Sequence, residues 1–135
     1  MNKRTLIAIG AASLLACAAA AESTGNPQWD GVWQGQLDGQ PSVILTLAED
    51  TGELGGTLVL NIVEKEHGQA AHVARIEPHV LVHPRLNGKL LTFEVRKPDG
   101  DLFNFTVVLT PEGKARIHCT NCGADAPQVD MTRGQ

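Results

Sequence analysis

From residue 42 to residue 109 the chain repeatedly alternates apolar and polar positions with a period of two. In PSVILTL, Val43, Leu45 and Leu47 fall on one face and Ser42, Ile44 and Thr46 on the other. In LLTFEVR, Leu91, Phe93 and Val95 oppose Thr92, Glu94 and Arg96. In LFNFTVVL, Phe103, Phe105, Val107 and Leu109 oppose Asn104, Thr106 and Val108. Successive side chains of an extended chain point to opposite faces, so this pattern marks half-buried strands. Turn signals separate them: Asp38-Gly39-Gln40-Pro41, Glu49-Asp50-Thr51-Gly52, Asn87-Gly88, Pro98-Asp99-Gly100 and Pro111-Glu112-Gly113. Asn-Gly and Asp-Gly tolerate the positive φ that tight hairpins demand. The pattern predicts strands over about 31–37, 42–48, 53–63, 70–77, 79–84, 89–97, 101–110 and 113–119, with a short ninth over 129–133. No segment shows a convincing helical stripe. The stretch 64–77 is ambiguous between a helical turn and a strand through His72-Val73-Ala74-Arg75-Ile76. The fold expected is all-β: a small antiparallel β-barrel of about eight strands, with a β-sandwich as the alternative. A barrel removes the unpaired edges that an open sheet presents.

The first 21 residues follow a different rule. Lys3 and Arg4 precede an apolar run, Leu6 to Ala16, with the length of an export-signal core and too short to span a bilayer. Two processing sites compete. Ala19-Ala20-Ala21 fits signal peptidase cleavage after Ala21. Leu14-Leu15-Ala16-Cys17 resembles a bacterial lipoprotein box, with cleavage before Cys17 and lipidation of that cysteine. An acyl chain there would tether the domain to a membrane without spanning it. Residues 22–28 read as a polar tether, and 29–135 as one domain. The location expected is the bacterial periplasm, either free or as a membrane-anchored lipoprotein.

Removing Lys3 and Arg4 leaves nine basic residues against 15 acidic ones, a charge near −6. An acidic domain without a basic stripe is a poor match for nucleic acid. Export into an oxidising compartment favours pairing of the two remaining cysteines.

Gly31-Val32-Trp33 stands on the first strand and Arg133 on the last. This resembles the calycin pattern of lipocalins and their relatives. The resemblance implies a barrel whose floor is closed by the Gly-x-Trp, with Arg133 stacked across the Trp33 indole. Such a contact is worth roughly 1 kcal/mol or more when desolvated. Gly52 to Leu58, GELGGTL, is similar to the second hairpin of small exported barrels, including the avidin group. The chain also resembles small exported domains with a W-x-G-x-L … G-T … L-x-F-x-V … R layout. Trp33, Gly35, Leu37, Gly56, Thr57, Leu91, Phe93, Val95 and Arg133 match it.

Candidate chemistry gathers in HCTNCGADAP, residues 118–127. One reading is a disulfide between Cys119 and Cys122, clamping the bend before the last strand. A metal clip of Cys119, Cys122 and His118 would need a further ligand to complete a tetrahedron. His67, His72, His79 and His83 are the other histidines available for it. A redox centre would need the helix N-terminus that lowers a thiol pKa, and Gly123 and Pro127 oppose a helix there. HVLVH places His79, Leu81 and His83 on one strand face, with the histidines roughly 13 Å apart by strand rise. No nucleophile elbow, His-Glu-x-x-His or phosphate loop occurs, and no catalytic residue or cofactor is predicted.

Three functions remain open. The first is a binding module whose barrel interior takes a small apolar or amphipathic ligand, lined by Trp33, Val43, Leu45, Phe93, Phe103 and Phe105. The second is a structural or interaction protein of the envelope, its core filled by those same side chains. The third is an enzyme using loop histidines or the cysteine pair, the least supported of the three.

Overall fold

The computed structural model describes residues 28–134, so the stretch expected to be an export signal, Cys17 with its expected lipidation, and residues 22–27 of the expected tether lie outside the described residues. Nine strands follow in order: β1 Gly31–Leu37, β2 Gln40–Asp50, β3 Glu53–Glu64, β4 His72–Val80, β5 Val82–Asn87, β6 Leu90–Arg96, β7 Leu102–Leu109, β8 Ala115–Cys119 and β9 Gln128–Arg133. The described residues contain no helix, and the stretch left ambiguous by its sequence becomes the β3–β4 connection followed by strand. The first two hairpins turn at Asp38–Gly39 and Thr51–Gly52. All four residues have positive φ (52°, 78°, 51° and 84°), the twist that matches a two-residue hairpin.

The strands form one antiparallel sheet in the order β4-β3-β2-β1-β9-β8-β7-β6-β5, curled into a half-barrel. The first and last strands are therefore neighbours at its centre, with Trp33 opposite Arg133 and Gly35 opposite Met131. The two edges, β4 and β5, are consecutive strands joined through Leu81 alone. Leu81 is buried, and its N–H donates to the Gly56 carbonyl at 3.1 Å. The chain then leaves β3 and pairs with β6 through a bulge between Val82 and Arg85, where His83 has φ 52°. The two edges of the half-barrel thus come together at Leu81, where the chain crosses from one to the other.

This kink changes the expectation for HVLVH. His79 is paired with Leu58 and faces inward, whereas His83 is exposed on the outer face, 2.9 Å from the Glu94 carboxylate. The bulge shifts the alternation between them, so the two histidines do not share a face.

The core follows the register. Trp33, Leu45 and Leu58 are successive partners across β1, β2 and β3, and all three are buried. On the other half, Leu91, Val107, Ile117 and Val129 form the matching row from β6 to β9. Trp29, fully buried just before β1, plugs one end. Its indole N–H donates to the Gly88 carbonyl at 3.2 Å, and its own carbonyl accepts from the Trp33 indole at 2.8 Å. Each buried indole donor therefore has a partner, as burial requires.

Candidate functional site

The edges that meet at Leu81 part on the other side of it. β4 continues along β3 as far as His72, while β5 pairs with β6 no further than Glu94. Between the diverging strands the barrel interior is not filled. A cavity of about 540 Å³ opens there, within the range of small-molecule sites.

One side of the cavity is apolar. Val43, Phe105, Ile117 and Val129 are buried, and Leu60 and Ile62 extend the wall from β3. Phe103 meets Phe105 edge-on, with ring centroids 6.5 Å apart, and Phe105 stacks on Phe93 at 5.4 Å. Gly35 lets β1 lie close beneath this wall. A Cβ there would sit 2.6 Å from Val129 Cγ1 and 2.7 Å from the Asp130 carbonyl oxygen, distances that real Cβ atoms do not adopt.

The opposite side is polar. Arg75, Glu77 and His79 are two residues apart on β4, and Glu77 and His79 pair with the inward Leu60 and Leu58. Arg75 Nε donates to Glu77 Oε2 at 2.7 Å. The other carboxylate oxygen, Oε1, lies 3.7 Å from His79 Nε2, beyond hydrogen-bond reach. The His79 side chain is only 10 % exposed, and its Nε2 is buried with no hydrogen-bond partner. Across the opening, Lys97 Nζ stands 4.6 Å from the Phe103 ring centroid and 3.9 Å from both Asp99 and Asp101 carboxylates.

Cys119 and Cys122 are disulfide-bonded, with Cα atoms 5.6 Å apart, and both line the cavity. Neither sulfur is therefore a free thiolate for a metal, and His118 Nδ1 lies 3.5 Å from the Pro127 carbonyl instead. Asn121, at the tip of the disulfide loop, accepts from the Asn104 N–H at 2.8 Å and donates to the Leu102 carbonyl at 3.0 Å. These bonds fasten the loop to β7, where Ala126 and Pro127 complete the rim. Among the described residues no group of three or more His, Cys, Asp or Glu side chains is placed to hold a metal ion. Away from the cavity, the hydrogen bond and charge of Asp130 raise the pKa of the Arg116 guanidinium on the outer face of β8 and β9.

Of the six interior residues singled out by their pattern, the structure places Val43, Phe103 and Phe105 on the cavity wall. Trp33, Leu45 and Phe93 belong instead to the packed core, all buried. His67, His72 and His83 are exposed and stand apart from the cavity lining, which takes His79 and His118. The residues that pattern reading missed are Arg75, Glu77 and Lys97. A signal for the first two was present: from Ala74 to Val80, polar and apolar residues alternate strictly, and that regularity marks a strand with one committed polar face.

Comparison with protein-family models, curated proteins and solved structures finds no match to this chain. The site is thus a chamber open at its rim, apolar on the β2, β3 and β7 side and polar along β4.

Proposed function

We propose that this domain is a small-molecule binding module, exported and tethered to the cell envelope through Cys17, that takes an apolar or amphipathic ligand into the open end of its barrel. The observation that carries the reading is the cavity of about 540 Å³, apolar on the β2, β3 and β7 side and polar along β4. Until a ligand enters, an open space of this size is filled by water molecules. Displacing them from an apolar wall favours binding, at about 25 cal/mol per Å² of apolar surface covered. The unpaired His79 Nε2 adds a polar group whose burial is unfavourable until something bonds to it.

Native mass spectrometry of the protein purified from its own host tests this reading. A retained small molecule, lost when Ile62→Trp fills the cavity, is the expected result. The same spectrum reports an acyl chain on Cys17. Absence of any retained ligand, together with no uptake of an added apolar dye by the refolded protein, would overturn the binding role.

A second reading, an interaction protein of the envelope, is favoured by the outer face of β4. Ile76 is 63 % and Val80 71 % exposed, with the exposed Pro78 between them, an unusual concentration of apolar surface on an edge strand. Pro78 removes one backbone donor from that edge and limits strand-to-strand pairing there.

A further inference from the structure

We propose that the head group seated against β4 carries a hydrogen-bond donor, a hydroxyl or an amide N–H, and that the cavity discriminates against carboxylate-headed amphiphiles. This rests on the binding role proposed above and names the class of ligand.

Two polar atoms on β4, Glu77 Oε1 and His79 Nε2, face each other across a gap. Glu77 Oε2 is occupied by Arg75 Nε at 2.7 Å. Glu77 Oε1 and His79 Nε2 are 3.7 Å apart, too far to bond directly, and both side chains line the cavity. His79 Nε2 is buried and unpartnered. A hydroxyl placed beside both would donate its proton to Oε1 and accept from the Nε2 proton. An amide offers the same pair of functions through its N–H and C=O. A carboxylate has no proton to donate, and it would set a second negative charge against Glu77 in a partly buried place.

The cations near the cavity do not reverse this preference. Arg75 already faces Glu77. Lys97 lies over the Phe103 ring with two carboxylates, Asp99 and Asp101, at 3.9 Å. Each positive group thus has its own negative partner, and no unmatched positive charge faces the head-group position. Phe103, Phe105 and Ile62 leave the remainder of the space to an alkyl or ring tail.

The test uses two probes with the same tail, 1-decanol and decanoate, added at pH 8 to the protein purified from its host and freed of ligand. Binding is read by displacement of an apolar fluorescent dye. 1-Decanol is expected to bind about tenfold tighter than decanoate. Glu77→Gln, which keeps the shape and supplies an amide donor without charge, is expected to bring decanoate to within about threefold of 1-decanol. His79→Phe, which removes the donor, is expected to weaken 1-decanol about tenfold. Decanoate binding to the unmodified protein as tightly as 1-decanol overturns the head-group assignment and leaves the cavity role standing. Failure of both probes and of the dye overturns the cavity role itself. The wild-type ratio decides even if a variant does not fold.

Discussion

The guanidinium carbon of Arg133 lies 4.7 Å from the ring centroid of Trp33, and the two residues are register partners across β9 and β1. A cation over an indole thus joins the last strand to the first. The guanidinium also donates to the Gln28 carbonyl. From Trp33 the connection continues through the Trp29 carbonyl and the Trp29 indole to Gly88, in the β5–β6 hairpin. Four separate parts of the chain, the segment before β1, β1 itself, β9 and the β5–β6 hairpin, are thereby held together.

Arg133→Ala is expected to lower unfolding stability by about 1 kcal/mol, the size of a cation–π contact from an exposed guanidinium together with its hydrogen bond. Arg133→Lys should recover only part of that, because an ammonium cannot stack flat on the ring or keep the same fork of donors. Urea denaturation followed by tryptophan fluorescence measures both. A loss below about 0.3 kcal/mol for the alanine variant would show that the contact does not hold the sheet closed.

Trp29 separates packing from hydrogen bonding. Trp29→Phe retains most of the buried ring and deletes the bond to Gly88, for an expected cost near 1 kcal/mol plus a small cavity term. Trp29→Ala should cost about 3–5 kcal/mol, as other buried aromatic truncations do. In thermal unfolding, equal losses from the two variants would contradict the packing account, and no loss from Trp29→Phe would contradict the hydrogen-bond account.

Gly55 and Gly56 make a paired test of close approach between β2 and β3. A Cβ on Gly56 would collide with the Thr46 carbonyl oxygen, whereas one on Gly55 meets nothing within 4 Å. Gly56→Ala is expected to cost about 1–3 kcal/mol, through displaced backbone and a disturbed Leu81–Gly56 bond. Gly55→Ala should change stability by no more than about 0.5 kcal/mol. Scanning calorimetry of the two variants side by side gives the comparison.

Reducing the Cys119–Cys122 disulfide opens a loop of very short span. Loop-length scaling puts its contribution at about 2 kcal/mol. The double variant Cys119→Ser, Cys122→Ser should therefore remain folded with a lower unfolding midpoint. Because the loop is also fastened through Asn121, the cavity rim should survive, and dye uptake should fall by less than about threefold.

Ile76 and Val80 contribute little to the fold from the outer face of β4. The pair Ile76→Thr, Val80→Thr is expected to leave stability in urea denaturation nearly unchanged, within about 0.5 kcal/mol. A large drop in stability would mean that this face is covered within the folded chain.

How much of this was legible in advance can be judged from particular strands. β2, β6 and β7 are apparent in the alternation of Val43-Leu45-Leu47, Leu91-Phe93-Val95 and Phe105-Val107, and each buries the face its pattern indicates. The hairpin at Asp38–Gly39 is equally local, because residues that accept positive φ announce themselves by type, whereas at Thr51–Gly52 only the glycine does so and the β-branched Thr51 takes φ 51° against its own preference. Trp29 stands at the start of the expected domain but outside every expected strand, and its burial was not legible, since a single indole before a strand has no periodicity. Nor did the pattern distinguish cavity wall from filled core. Phe93 and Phe105 look alike in sequence, yet Phe93 is confined to the core and Phe105 reaches the cavity.

The sequence by itself determined where the chain extends and where it turns, because period-two alternation and turn chemistry act over a few residues. What only the tertiary structure decided is which face of β4 looks inward. Alternation from Ala74 to Val80 defines two faces but does not say which one is covered. Pairing of Leu58 with His79 and of Leu60 with Glu77 turns the polar face toward the interior and leaves Ile76 and Val80 outside. That choice depends on the register between strands, and a shift by one residue would invert it. The Leu81 kink, held by the Gly56 carbonyl, then carries the chain across to β6 and leaves the space that the polar face lines.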